Sequence, residues 1–408
     1  MYYGLLGEHL PHSHSPKIHR LLGNRGYTLF EKKSDGLAPF FKNRKFYGLN
    51  VTIPYKEEVI KYCDTIDSIA AEIGAVNTVV NCGGSLFATN TDYDGFIFLC
   101  KYHKIDIKDK NVLILGSGGT SKTVRVAARD MGAKRVTVVS RSGDVNYENV
   151  FDKCADTNVI INTTPVGMYP NVDAKPIELS KFENLSGVID VIYNPLCTRL
   201  LAEANFLGIP HANGLLMLVA QAAKADEYFR HTSHSNMEIV AIYKKIRRSL
   251  QNIVLIGMPG CGKSTVGRRV ARILKREFVD TDAEIVARAG KSIPEIFADE
   301  GEEYFRNLEQ SVTEDVCKRN GLAIALGGGT ILREENRIAA KQNGKIVYLN
   351  RKIENLARRG RPLSSDDGAI QKLFEARSPI YESFADIKID CREDLYSTVT
   401  QVLEETKK

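Results

Sequence analysis

Tryptophan is absent from the 408 residues, which constrains no function. The other gaps exclude more. The eight cysteines, Cys63, Cys82, Cys100, Cys154, Cys197, Cys261, Cys317 and Cys391, form no C-x2-C pair, so neither a zinc site nor a disulfide framework is expected and the thiols read as reduced. His9, His12, His14 and His19 lack metal spacing and an accompanying cysteine or carboxylate cluster. No run of about 18 apolar residues occurs, which argues against a membrane-spanning helix. The amino terminus opens into the strand-like YYGLLG, without the basic flank and apolar core of a signal peptide. Internal repeats and low-complexity tracts are missing too. The net charge of +6 comes from 56 basic and 50 acidic residues that are spread rather than blocked. Arginines facing anionic small molecules explain that balance better than nucleic acid does. A cytoplasmic enzyme or regulator is expected, with no nucleic-acid or membrane partner.

What is present is a chain with the composition of a globular protein, 43% hydrophobic and 26% charged, and long enough for two to four domains. Short apolar runs (YYGLLG, YGLNVTI, AVNTVV) alternate up to about residue 110 with helical patterns such as residues 54–62, which predicts an α/β domain. From Asn111 the order is strand NVLILG, glycine turn, helix, strand RVTVVS, then VIINTT and GVIDVIY. That order predicts a doubly wound nucleotide-binding domain. Residues 213–230 read as an apolar helix packing back on the first domain, and residues 237–250 as an amphipathic, basic-ended helix. The predicted fold class is α/β throughout. A substrate domain covers 1–102 and 213–249, a Rossmann-like domain 103–212, and a P-loop α/β domain with a parallel sheet 250–408.

Two stretches carry nucleotide chemistry. Residues 257–265, GMPGCGKST, fit the G-x4-G-K-[ST] phosphate loop and follow an apolar strand. Backbone N–H groups, Lys263 and Ser264 can there surround a triphosphate and its Mg2+. Residues 115–123, LGSGGTSKT, lack that lysine and have dinucleotide form. Gly116, Gly118 and Gly119 permit a tight turn and close approach to a pyrophosphate, with Ser121 in place of the third glycine of G-x-G-x-x-G. Where an acid would take the ribose hydroxyl of NAD, the chain has Ser140-Arg141-Ser142, which suits the 2'-phosphate of NADP.

Other polar groups sit at strand ends, where α/β sheets bind ligands. Ser13 and Ser15 flank one residue just before Pro16. They can bind a carboxylate or polyol, or merely cap a helix. Lys56 and Asp92 form a candidate ammonium–carboxylate pair for proton transfer at an alcohol oxygen, with a surface salt bridge as the plain alternative. After the phosphate loop, Asp280-Thr281-Asp282 ends an apolar segment. One of the two carboxylates is expected toward Mg2+ and the other toward an acceptor hydroxyl. Arg306, Arg361 and Arg377 are candidate anion partners, each individually consistent with a solvated surface arginine.

The motifs HSHSP, NVTIPYK, GAVNT, NTD, GSGG, NTTPVGM and DVIYNP occur in the order found in shikimate dehydrogenases, and residues 1–249 resemble that family. The resemblance implies hydride transfer between NADP(H) and the ring carbonyl of 3-dehydroshikimate. It implies Lys56 as catalytic lysine with Asp92, and Ser13, Ser15, Thr52, Asn77, Asp92, Tyr193 and Gln221 as substrate contacts. Gly116, Ser117, Gly118, Gly119, Thr120, Ser140, Arg141 and Ser142 would hold the dinucleotide. From residue 252 on, GMPGCGKST, DTD, GE-x-x-FR-x-x-E, GGG, RPL and ARSPIY resemble shikimate kinases. That likeness implies ATP at Gly260, Cys261, Gly262, Lys263, Ser264, Thr265 and Arg361, with Mg2+ at Ser264 and Asp280. It implies shikimate at Asp282, Arg306, Gly328, Gly329 and Arg377, with Asp282 accepting the hydroxyl proton. The stretch ARRGRPLSSDD is shorter before RPL than in many relatives, with Ser364 where leucine is common, which bears on closure over ATP. Two consecutive shikimate-pathway reactions on one chain are the leading expectation. A metabolite-binding regulator, or a chain with one active half (quinate or shikimate oxidation, or the kinase), are the alternatives.

Overall fold

A computed structural model of the chain describes residues 2–10, 13–356, 367–392 and 394–407. His12 and Arg361, and with it the RPL stretch and Ser364, lie outside the described residues. The chain forms two compact units, Met1–Asn194 with Thr198–Ile246, and Pro195–Cys197 with Arg247–Lys408. Among the described residues, no helix is long and apolar enough to cross a membrane.

The first unit holds two sheets. One has six strands in the order Tyr27–Glu31, Tyr2–Gly7, Phe46–Val51, Thr78–Cys82, Ser85–Thr89 and Thr65–Ile66. It is mixed, where the alternation of strand and helix patterns suggested a βα rhythm. Thr78–Cys82 runs antiparallel to both Phe46–Val51 and Ser85–Thr89. The second pairing closes at Gly83-Gly84, whose positive φ values of 64° and 104° build a two-residue hairpin turn that only glycine-like residues enter easily. Residues 54–62 also differ from the helical pattern: only Glu58–Tyr62 is helical, as a short 3-10 segment after a series of turns.

The other sheet has five strands, all parallel, in the order His211–Asn213, Gly187–Asp190, Val159–Asn162, Asn111–Leu115 and Arg135–Val139. Its central strands are continuous apolar runs, as a sheet covered on both faces requires, and Leu113, Ile114, Ile160, Ile161 and Ile189 are all fully buried. Helix Leu215–Arg230, buried along most of its length, packs against helix Thr91–His103. Gly95 makes that approach possible: a Cβ there would lie 2.7 Å from the Met217 carbonyl oxygen and 3.0 Å from Gln221 Cβ. The contact fixes Asp92, in the first turn of one helix, relative to Gln221 on the other.

The second unit contains a five-stranded parallel sheet in the order Phe278–Asp280, Ala323–Ala325, Asn252–Ile256, Gly344–Asn350 and Ile387–Asp390. The central strand Asn252–Ile256 is buried throughout and leads through the 257–262 turn into helix Lys263–Leu274.

Candidate active sites

In the first unit, a cavity of about 590 Å³ is lined by Ser13, Ser15, Thr52, Lys56, Asn77, Asp92, Tyr193 and Gln221, so that every substrate-facing residue singled out in that half of the sequence meets in one place. The Ser13 hydroxyl accepts the Ser15 backbone N–H at 3.2 Å, and Ser15 opens helix Ser15–Leu21. The serines thus shape the start of a helix and line the cavity as well. Lys56 Nζ donates to Asp92 Oδ2 at 2.5 Å, with only 17% and 12% of the two side chains exposed.

Asn77 is fixed from several sides. Its Oδ1 accepts from the Thr91 backbone N–H at 2.7 Å and from the Thr78 hydroxyl at 3.0 Å, while its Nδ2 donates to Gln221 Oε1 at 3.4 Å. Asn50, which also lines the cavity, is held by Tyr27 Oη at 2.8 Å and by His19 Nε2 at 3.1 Å. Asn50 and Thr91 were not singled out in the sequence, although each stands inside a quoted motif, NVTIPYK and NTD. The signal available was their adjacency to Thr52 and Asp92.

Tyr193 reaches the cavity from the turn after strand Gly187–Asp190, and burial raises its phenol pKa. That turn hangs on Asp190, whose carboxylate accepts from Thr198 Oγ1 at 2.7 Å, Asn162 Nδ2 at 3.0 Å and the Ile192 N–H at 3.1 Å. Burial pushes the Asp190 carboxyl up to about 7 against these stabilising donors.

For the dinucleotide, Gly116 adopts φ of 101° at the end of strand Asn111–Leu115, and Gly118 caps helix Gly119–Asp130. A Cβ at Gly118 or Gly119 would meet nothing within 4 Å, so the helix N-terminus faces open space of the kind a pyrophosphate fills. Ser117 lies exposed in the same turn and Thr120 in the first helical turn. Ser140 follows the neighbouring strand, its N–H bonded to the Val145 carbonyl at 3.2 Å, and leaves Arg141 and Ser142 exposed. The residues present fit a phosphorylated dinucleotide.

In the second unit, Gly260, Cys261 and Gly262 form the turn, and Lys263, Ser264 and Thr265 the first turn of the following helix. Lys263 Nζ donates to the carbonyls of Gly257 at 2.9 Å and Met258 at 3.2 Å, so the loop curls around its own ammonium. Ser264 Oγ donates to Asp280 Oδ2 at 2.6 Å. A hydroxyl and a carboxylate side by side at the phosphate loop are the donor types that Mg2+ takes alongside phosphate oxygens. The two carboxylates of Asp280-Thr281-Asp282 do not alternate on a strand. Asp280 ends the strand and caps helix Thr281–Ala289, while Asp282 lies in its first turn. Asp280 Oδ1 accepts the Asp282 N–H at 3.2 Å, and this capping bond starts the helix directly at the strand end.

Asp282 faces the glycine loop: a Cβ on Gly327 would lie 2.5 Å from Asp282 Oδ1, and one on Gly329 2.8 Å from Arg306 Nη1. Arg306 Nη1 donates to Glu309 Oε2 at 2.8 Å, and Glu309 Oε1 accepts from the Thr330 hydroxyl at 2.7 Å. Glu309 is 2% exposed and was missed in the sequence, although its position in FRNLE, one turn after Arg306, is the spacing of an intrahelical pair. Arg377 is buried on helix Asp367–Phe384, beside Tyr381. The arrangement gathers a phosphate loop, a carboxylate and two arginines.

A Rossmann-type sheet beside a polar cavity with a lysine–aspartate pair defines a nucleotide-dependent oxidoreductase unit, and the phosphate-loop unit defines a phosphotransferase. Comparison with known proteins gives each a family. The model of the shikimate dehydrogenase substrate-binding domain matches residues 5–79, and that of shikimate kinase matches residues 259–407. A shikimate dehydrogenase (NADP(+)) of Clostridium beijerinckii is 38% identical over 262 residues, 59% of this chain and 96% of that protein. Among solved structures, a chorismate mutase/shikimate 5-dehydrogenase fusion from Clostridium acetobutylicum is 36% identical with a TM-score of 0.57, covering 60% of this chain and 96% of the other. A shikimate 5-dehydrogenase of Thermus thermophilus in complex with NADP(H) and shikimate is 30% identical with a TM-score of 0.55, covering 60% and 99%. The chain belongs to the shikimate dehydrogenase family and carries a shikimate kinase domain behind it; it is a shikimate-pathway enzyme.

Proposed function

We propose that the chain catalyses two consecutive reactions: reduction of 3-dehydroshikimate to shikimate with NADPH, and phosphorylation of shikimate at its 3-hydroxyl with ATP and Mg2+. When bound, NADPH supplies the hydride, and ATP with Mg2+ the phosphoryl group.

In the first reaction the ring carbonyl oxygen gains a proton as its carbon is reduced. Lys56 Nζ holds that proton at the cavity wall, and Asp92 orients the ammonium toward the oxygen. Ser13, Ser15, Thr52, Asn77, Tyr193 and Gln221 bind the hydroxyls and carboxylate of the ring. Gly118, Gly119 and Thr120 hold the pyrophosphate, and Arg141 the 2'-phosphate. In the second reaction Asp282 accepts the proton leaving the substrate hydroxyl, while Arg306 and Arg377 bind the substrate carboxylate beside Gly328 and Gly329. Lys263, beside the loop carbonyls, would bind phosphate oxygens, and Ser264 with Asp280 would hold Mg2+.

The observation that carries this reading is the convergence of Ser13, Ser15, Thr52, Asn77, Tyr193 and Gln221 around the Lys56–Asp92 pair in one cavity. A mostly buried ammonium held 2.5 Å from a carboxylate supports acid–base chemistry at this cavity over passive metabolite binding. Separate assays test the two halves on the purified chain: NADPH oxidation on adding 3-dehydroshikimate, and ADP release on adding shikimate and ATP-Mg2+. Turnover in both is the expected result, and turnover in neither favours a regulator.

A further inference from the structure

The middle glycine of the triple-glycine loop is gripped from behind by a tyrosine that no function above uses. Tyr381 Oη lies 2.5 Å from the Gly328 carbonyl oxygen. A carbonyl oxygen can only accept, so the phenol donates. The ring is 1% exposed and stacked on Tyr348 at 5.2 Å and 22°, and burial raises the phenol pKa, which keeps the proton on the oxygen. On its other side Gly328 abuts the phosphate loop, since a Cβ there would lie 2.9 Å from Pro259. The peptide group joining Gly328 to Gly329 is therefore fixed between two walls. In a planar trans peptide the following N–H points opposite the carbonyl, so the direction of the Gly328 carbonyl sets that of the Gly329 N–H.

The neighbours of this peptide are the substrate-facing groups, with Asp282 Oδ1 against Gly327 and the Arg306 guanidinium against Gly329. Tyr381 also stands one helical turn after Arg377 on helix Asp367–Phe384, which places the two on one face. A glycine loop has no side chains to hold it, and its backbone is intrinsically the most mobile of any sequence. A hydroxyl donated from a packed helix removes that freedom where the substrate is to be bound.

Resting on the kinase reading, we propose that Tyr381 is a positioning residue for the acceptor subsite: its hydroxyl, through the Gly328 carbonyl, orients the Gly328–Gly329 peptide for a hydroxylated carboxylate substrate. Tyr381→Phe keeps the ring and its stacking and removes only the hydroxyl, which donates to Gly328 and also meets Arg377. In full-length chain, KM for shikimate in the kinase assay should rise about five- to tenfold, the loss of one neutral hydrogen bond, while KM for ATP and the melting temperature stay near wild type. Tyr348→Phe, which keeps the same stack but loses a hydroxyl bonded to Asn350 at 3.1 Å and Ser378 Oγ at 3.4 Å rather than to the glycine loop, should leave the shikimate KM unchanged. An unchanged shikimate KM in Tyr381→Phe overturns the proposal, as does a parallel rise in both KM values or an equal effect of Tyr348→Phe. The wild type is measured first: if it phosphorylates no shikimate, the kinase reading itself has failed and this assignment falls with it, whereas an active wild type with an indifferent Tyr381→Phe removes this assignment alone.

Discussion

Lys56 Nζ and Asp92 Oδ2 stand 2.5 Å apart at the wall of the first unit's cavity, joining the turn after strand Phe46–Val51 to the first turn of helix Thr91–His103. Each residue comes from a different element, so the pair exists only in the folded chain. Its chemistry makes the first prediction. Lys56→Ala removes the proton carrier and should lower kcat for 3-dehydroshikimate reduction by about 10²- to 10⁴-fold, the usual contribution of general acid–base catalysis. Asp92→Asn should lower it less, and neither change should alter phosphorylation of added shikimate. Loss of both activities from either substitution would contradict independent sites.

Arg141 is exposed just after strand Arg135–Val139, and the proposed NADPH reading gives it the 2'-phosphate. Steady-state kinetics should show a higher kcat/KM with NADPH than with NADH. Arg141→Ala should lower the NADPH value by about tenfold or more, the worth of a charge-assisted contact, and leave the NADH value nearly unchanged. Preference for NADH in the wild type would refute the assignment.

Gly95 sets the spacing between the helices that carry Asp92 and Gln221. Gly95→Ala forces a methyl against the Met217 carbonyl, and overpacking of that kind costs about 1–3 kcal/mol. The expected outcome is a lower melting temperature together with a higher KM for 3-dehydroshikimate. Wild-type values in both measurements would show that the helices can part without moving Gln221.

Asp190 supplies the pH dependence. Burial raises its carboxyl to about 7 in the folded chain, above the roughly 3.9 of an unfolded aspartate. Between those two values the folded state binds the proton and the unfolded state does not, so stability is greatest below about 4 and is lost as pH rises toward 7. The slope is on the order of 1 kcal/mol per pH unit. Melting curves of wild type and Asp190→Asn from pH 5 to 8 should therefore diverge, the wild type losing ground to the variant up to about pH 7 and no further. A difference that does not change with pH would contradict the buried, proton-binding carboxyl.

Much of this molecule was legible in the sequence because the signals are local. The strand–glycine–helix order at Asn111–Asp130 and Asn252–Leu274 follows from apolar runs and glycines a few residues apart, and the structure has parallel sheets at both places. Ser13, Ser15, Lys56 and Asp92 stand out by residue type and Thr52, Asn77, Tyr193 and Gln221 by resemblance, and it is the topology that brings Ser13, Asn77 and Gln221, far apart in the chain, to one cavity. Less legible was whatever depends on partners distant in sequence. The mixed character of the first sheet rests on the Gly83-Gly84 hairpin, a two-residue signal inside an otherwise ordinary alternation, and on the antiparallel pairing of Thr78–Cys82 with the distant strand Phe46–Val51. The helix cap at Asp280 outcompeted the strand that its apolar approach suggested. Asn50, Thr91, Glu309 and Tyr381 act by holding other groups rather than by bearing a distinctive motif, and their role becomes visible only with their hydrogen bonds.

A single reaction containing purified protein, 3-dehydroshikimate, NADPH, ATP and Mg2+, with no added shikimate, should lose NADPH and accumulate shikimate 3-phosphate. With Lys263→Ala, NADPH should still be consumed and shikimate should accumulate unphosphorylated. NADPH loss without phosphorylated product in the wild type, or no loss at all, would contradict the account.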